Sequence, residues 1–142
     1  MNSIEISTDK ARLAVPMIHQ FLSTEAYWCL NIPLETVQRS IDNSLCFGVY
    51  LENRQIGFAR VVTDYATFGY LADVFVLPEH RGKGFSKQLM AAVMAHPALQ
   101  GLRRLMLVTQ DAHGLYEPFG FRPIENPENT MFIKFFTAYE PC

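Results

Sequence analysis

Between Lys10 and Leu22 the apolar residues Leu13, Met17 and Phe21 recur at helical spacing, which predicts a helix there, with Pro16 a mark against its regularity. The stretch STEAYWCLNIPLE then reads as a loop entering a second helix. Pro33 suits that helix's first turn, Leu34, Val37 and Ile41 form its apolar stripe, and Asp42–Asn43–Ser44 stops it. Shorter apolar blocks read as strands: residues 3–7, LCFGVYL at 45–51, IGFARVVT at 56–63, and Phe68 to Leu77. The polar ENRQ between the second and third is short enough for an antiparallel hairpin, and Pro78 closes the fourth because it cannot donate to a continuing ladder. A helix follows from Gly84 to about His96, with Phe85, Leu89, Ala92 and Val93 on one stripe and Pro97 ending it. The order continues with strand LRRLMLVT at 102–109, a helix-like DAHGLYEPFG, and a last strand around MFIKFF at 131–136.

That succession describes a mixed α/β sheet in a single domain over residues 1–142, with no repeat, low-complexity segment or interdomain linker. The length suits one core, and 49% hydrophobic against 18% charged residues suits a globular chain. A formal net charge of −2 argues against a general nucleic-acid binder. The N-terminal MNSIEISTDKARLAVPMIHQ lacks the features of a secretory signal, and no apolar run is long enough to suggest a membrane span. Cys29, Cys46 and Cys142 form no metal-like cluster, and His19, His80 and His96 show no ligand spacing with them. The expectation is a cytoplasmic protein with free thiols and no metal.

The junction EHRGKGFSKQLM, residues 79–90, raises a chemical question, since it sets two glycines among basic residues where a helix begins. Amide hydrogens at a helix start lack intrahelical partners, and the helix dipole is positive there. Gly82 and Gly84 let the backbone approach a ligand, while Arg81 and Lys83 add attraction for an anion such as pyrophosphate. The loop is neither a Walker A motif, whose lysine follows the second glycine, nor a dinucleotide fingerprint, whose third glycine is here Lys87. Alone, RGKG reads equally well as a solvated helix start.

Its surroundings decide. The run VFVLPEHRGKGFSKQLM, followed further on by AHGLYEPFGF, resembles the GNAT superfamily of acyl-CoA-dependent N-acetyltransferases. That family's coenzyme loop reads Arg/Gln-x-x-Gly-x-Gly/Ala; Arg81 and Gly84 match it, and Ser86 is a small replacement at its last position. The resemblance implies a central, mostly antiparallel sheet with two splayed parallel strands and flanking helices. It also implies that Val76 holds the pantetheine arm of acetyl-CoA through its backbone, while Arg81, Gly82, Lys83, Gly84, Phe85 and Ser86 hold the pyrophosphate. Many members carry an asparagine where this chain has Thr109, which leaves Thr109 as a coenzyme contact of shorter reach.

Acetyl transfer to an amine requires deprotonation of an ammonium group whose reference pKa is ~10.4, and a proton for the departing thiolate. Tyr116 stands at the tyrosine of the family's Ala-x-x-x-Tyr…Gly-Phe pattern (Ala112, Tyr116, Gly120, Phe121) and is the candidate acid. Asp73, a carboxylate inside apolar YLADVFV, is the candidate base, directly or through water, against a structural aspartate tied to amides or a basic side chain. Strict alternation places Asp73 with Leu71 and Phe75, opposite Ala72, Val74 and Val76, unless a bulge re-aims the strand. Asp64, in TDYAT, reads more simply as a turn residue, and His113 as a solvent-facing or capping histidine. Cys46, in an apolar strand, reads as core, while Cys29, in the loop after Tyr27 and Trp28, leaves an acyl-cysteine role as a minor reading. Tyr27 and Trp28, in the segment that borders the acceptor site in the resembling family, are candidates for the substrate wall, or else cap the core. The expected function is acetyl transfer to a primary amine, by preference a small molecule, with no nucleic-acid or membrane partner and room for a homodimer. The alternatives are a peptide or protein amine acceptor, or a non-catalytic acyl-CoA-binding or regulatory module of the same fold.

Overall fold

Five strands hydrogen-bond in their order along the chain, in the computed structural model, which describes residues 3–141. These are β1 (Glu5–Ser7), β2 (Leu45–Leu51), β3 (Arg54–Thr63), β4 (Phe68–Val76) and β5 (Arg104–Leu107). The first four run antiparallel and β5 lies parallel to β4. The crossover a parallel pair requires is α3 (Phe85–Ala95). Glu52 and Asn53 both adopt left-handed φ between β2 and β3, a two-residue turn whose twist matches the hairpin, so β3 begins two residues before the apolar block.

Each sheet face buries its own core. Phe47, Val49, Val61, Leu71 and Val76 pack with Leu89, Met90 and Val93 of α3. Phe58 and Phe75 face α1 (Val15–Thr24) and α2 (Leu34–Asp42) through Ile18, Phe21, Leu22, Val37 and Ile41. The Phe21 and Phe75 rings stack at 4.0 Å. The helix expected from Lys10 divides: Lys10–Arg12 forms a 3₁₀ turn capped by Asp9, and α1 starts so that Pro16 falls in its first turn, where a missing N–H costs no hydrogen bond.

The site is shaped by an irregularity in β4. Arg60 of β3 pairs with Asp73 and Val61 with Leu71, so Ala72 is a surplus residue without a partner on β3. This bulge changes the strand's parity. Leu71 faces α3 with Val74 and Val76, whereas Asp73 and Phe75 face α1 and α2. The grouping of Leu71 with Asp73 expected from strict alternation is thereby corrected. The β4–β5 ladder also stops here, with Leu71 opposite Leu107, while β4 continues to Val76. From Ala72 onward the two chain segments diverge and leave a slit.

The last expected strand does not form. Residues 131–136 pair with no strand, and every residue from 122 to 138 is exposed. The physical reason is that MFIKFF has strand propensity but no ladder within its own chain, and an isolated extended segment gains nothing from propensity alone. β5 is likewise shorter than its apolar block, and α4 is a single turn, His113–Tyr116, running into a 3₁₀ turn at Glu117–Phe119. Among the described residues no helix is long and apolar enough to cross a membrane.

Candidate functional site

A groove of about 270 Å³ runs over the start of α3, lined by Val76, His80, Arg81, Gly82, Gly84, Phe85, Ser86, Lys87, Gly114 and Leu115. Gly82 and Gly84 hold φ of 78° and 81°, while a Cβ on either would meet no atom within 4 Å. Their glycine identity is therefore set by left-handed backbone rather than by crowding within the chain. Gly84 caps α3 without a side-chain hydrogen bond, and the amides of residues 82–87 donate to no group among the described residues. A run of unpartnered amides at the positive end of a helix, with Lys87 beside it, has the donor set an anionic diphosphate requires. His80 adds a buried Nδ1 without a hydrogen-bond partner. The residues present thus fit a coenzyme diphosphate.

Of the residues expected to hold the coenzyme, Val76, Arg81, Gly82, Gly84, Phe85 and Ser86 line this groove. The Phe85 side chain is buried in the core, so its backbone is what it offers there. Arg81 donates from Nε to the Val76 carbonyl at 3.0 Å, which ties the loop to the end of β4 and leaves its terminal nitrogens exposed. Lys83 is exposed and does not line the groove. Thr109 follows the end of β5 and does not line this groove; its Oγ1 accepts the Ala112 amide at 3.0 Å and shapes the entry to α4. Gly114 and Leu115 escaped the sequence reading; their place between Ala112 and Tyr116, on the turn facing α3, is the signal that marks them.

Tyr116 is buried at the end of α4, its ring edge-on to Phe121 at 5.9 Å. Burial pushes its phenol up to about 12, with Tyr27 and Asp111 adding to the effect. The group therefore carries its proton throughout the neutral range, as a proton donor to a thiolate must.

Asp73 is buried, and both its oxygens are engaged: Oδ2 accepts from Arg60 Nε at 2.8 Å and Oδ1 from Trp28 Nε1 at 2.8 Å. Arg60 also donates to Ser44 Oγ at 3.1 Å. Tyr27 packs edge-on against Trp28, and its hydroxyl accepts the Gln110 amide at 3.1 Å. The α1–α2 loop is thus fastened to β4 by Trp28 and to the segment after β5 by Tyr27, spanning the slit. These aromatic rings remain partly exposed there. The sequence reading placed them at the acceptor border but could not supply the Arg60 partner, which the antiparallel register brings opposite Asp73.

The remaining candidates lie elsewhere or are spoken for. Asp64 accepts the amides of Ala66, Thr67 and Phe68 in a turn, and hydrogen bonds from Thr67 hold its carboxyl far below the usual range. His113 is exposed. Cys29 is buried beside Leu22, and burial pushes its thiol up to about 12; Cys46 is pushed up to about 11 for the same reason. Neither offers an accessible thiolate. Cys142 lies outside the described residues.

Comparison with known proteins agrees with this geometry. The Acetyltransferase (GNAT) family profile matches residues 15–121. A protein of Xanthomonas campestris pv. campestris belonging to that family has a crystal structure with TM-score 0.92 and 55% identity, the match covering 96% of each chain. A candidate acetyltransferase of Gibberella zeae is 35% identical over 78% of this chain and 74% of its own length. A GNAT acetyltransferase of Elizabethkingia anophelis, solved with acetyl-CoA bound, is 16% identical with TM-score 0.67 over 88% of this chain and 80% of its own, and shares the fold. With a family profile spanning most of its length and a relative this similar throughout, the chain belongs to the GNAT family of acetyltransferases.

Proposed function

We propose that the protein moves the acetyl group of acetyl-CoA onto a small primary amine by direct attack within a ternary complex. The observation that carries this reading is a groove over the start of α3 that sets the unpartnered amides of residues 82–87 against Gly114 and Leu115, the two residues that precede buried Tyr116. Acetyl-CoA supplies an activated thioester. The amides of residues 82–87 and Lys87 bind its diphosphate, while the β4 backbone near Val76 and Thr109 flank its arm. Tyr116 gives its proton to the departing sulfur. Tyr27 and Trp28 form the acceptor wall, where aromatic faces suit an amine that arrives as a cation. Because Arg60 and Trp28 occupy both oxygens of Asp73, that residue positions the wall, and water lining the slit takes the amine's proton.

The test is release of CoA thiol from acetyl-CoA by purified protein across a panel of small amines, peptide N-termini and lysine peptides. Turnover confined to small amines supports the proposal. Turnover confined to peptides transfers it to a peptide acceptor, and tight acetyl-CoA binding with no turnover on any amine identifies a binding module instead.

Two substitutions probe the halves of the site separately. Gly84→Val forces a branched side chain into left-handed backbone, and is expected to weaken acetyl-CoA binding by about tenfold or more in calorimetry with modest change in melting temperature. Trp28→Phe keeps an aromatic ring but deletes the donor to Asp73. It should raise KM for the amine several-fold while acetyl-CoA affinity holds, and an unchanged amine KM would remove Trp28 from the acceptor wall.

A further inference from the structure

The helices α1 and α2 cover only part of the sheet face they pack on. Phe58 and Phe75 are buried beneath them, and the Arg60–Asp73 pair follows further along the same face. Beyond that pair the ladder sets Val62 of β3, Tyr70 of β4 and Met106 of β5 abreast. These three side chains share the Asp73 face, because the surplus Ala72 keeps Tyr70 and Asp73 on one side while Leu71 turns to α3. None of them joins either core. Val62 is 42% exposed, Tyr70 and Met106 are half-buried, and Phe68, the next residue of β4 on this side, is 38% exposed. The row adjoins the wall formed by Tyr27 and Trp28. Trp28 Nε1 donates to Asp73 Oδ1, and burial, with the Asp73 charge adding to it, raises the Tyr70 phenol. Tyr27, edge-on to Trp28, lies close enough to Tyr116 to add to the rise that burial gives its phenol.

We propose that the acceptor amine is carried on an apolar, ring-sized body, and that Val62, Tyr70 and Met106 are the surface on which that body lies. The inference rests on the acetyl-transfer reading above and names the class of amine it uses. Strands ~4.8 Å apart make the row roughly 10 Å across, the width of one aromatic ring with its substituents. A tyrosine between two apolar chains suits such a ring, since offset and edge-on contacts both favour aromatic pairs. Charge selects against the alternatives. Asp73 is the one carboxylate on β3, β4 and β5, and Arg60 neutralises it at 2.8 Å. A polyamine or an aminosugar needs several carboxylates to replace the water around its further ammonium groups, and these strands have none to spare. A single ammonium instead meets the rings of Tyr27 and Trp28, while its apolar body leaves water against the row.

Trp28 is the chain's single tryptophan, so its fluorescence reports an amine at the wall whether or not transfer follows. The test is to titrate the full chain, in the presence of CoA, with 2-phenylethylamine, ethylamine and putrescine. 2-Phenylethylamine should bind at least about tenfold more tightly than either of the others. Val62→Asn with Tyr70→Ser removes the apolar surface without adding charge, and should bring that difference to within about twofold while ethylamine and CoA affinities hold. Val62→Asn alone, at an exposed position, should narrow it by about threefold and decides the matter if the double variant fails to fold. Equal affinities for the three amines in wild type, or none, overturn the proposal. So does a preference that survives the substitutions. So does a change in sedimentation with amine affinity unaltered, which would make the row a contact between copies. Thiol release with the same amines separates this site from the reading it rests on. Selective binding without turnover retires the transfer reading and leaves the site, whereas turnover indifferent to the apolar body sinks the site alone.

Discussion

Tyr116→Phe is expected to lower kcat by about a hundredfold or more while acetyl-CoA affinity stays within about twofold of wild type. The substitution keeps the ring against Phe121 and the buried packing, and deletes only the dissociable proton. The pH profile sharpens the expectation. Deprotonated Tyr116 is the inactive form, and burial pushes its phenol from 10.0 up to about 12, so wild-type activity should show no loss from this group through pH 10. A phenol left at its ordinary value would be half ionised at that pH. Steady-state rates of thiol release with saturating acetyl-CoA measure both effects. Wild-type turnover in the phenylalanine variant would remove Tyr116 from the chemistry.

Asp73→Ala should cost about 3 kcal/mol of stability, because it strands the Arg60 guanidinium in a largely buried position and deprives Trp28 Nε1 of its acceptor. For a domain of this size that corresponds to a fall in melting temperature of roughly 6–12 °C. Asp73→Asn retains an acceptor for Trp28 while removing the charge, so its loss should be intermediate. The distinguishing measurement is the pH–rate profile of the asparagine variant. A positioning residue predicts reduced activity with the ascending limb in place; disappearance of that limb with stability intact would make Asp73 the proton acceptor.

Several of these residues were legible because their chemistry is local. The Arg81–Ser86 loop announces itself through glycines among cations at a helix start, and Tyr116 through its spacing to Ala112, Gly120 and Phe121. What stayed hidden depends on residues distant in sequence. That Arg60 faces Asp73 follows from strand register, and that Leu71 and Asp73 point to opposite faces follows from a bulge no alternation rule would place. His80 carries no motif and draws notice only because its Nδ1 is buried without a partner beside the loop. The segment 131–136 failed as an expected strand for a related reason: strand propensity belongs to a sequence, but pairing belongs to two.

Ala72 acts as a unit of length. Its methyl carries no chemistry, so a scan of point replacements would pass over it. Deleting it would leave every neighbouring side chain on its present face, because the surplus residue is the one taken away. The straightened β4 would then be free to keep zipping along β5 beyond Leu107, sealing the gap proposed for the coenzyme in a protein that still folds.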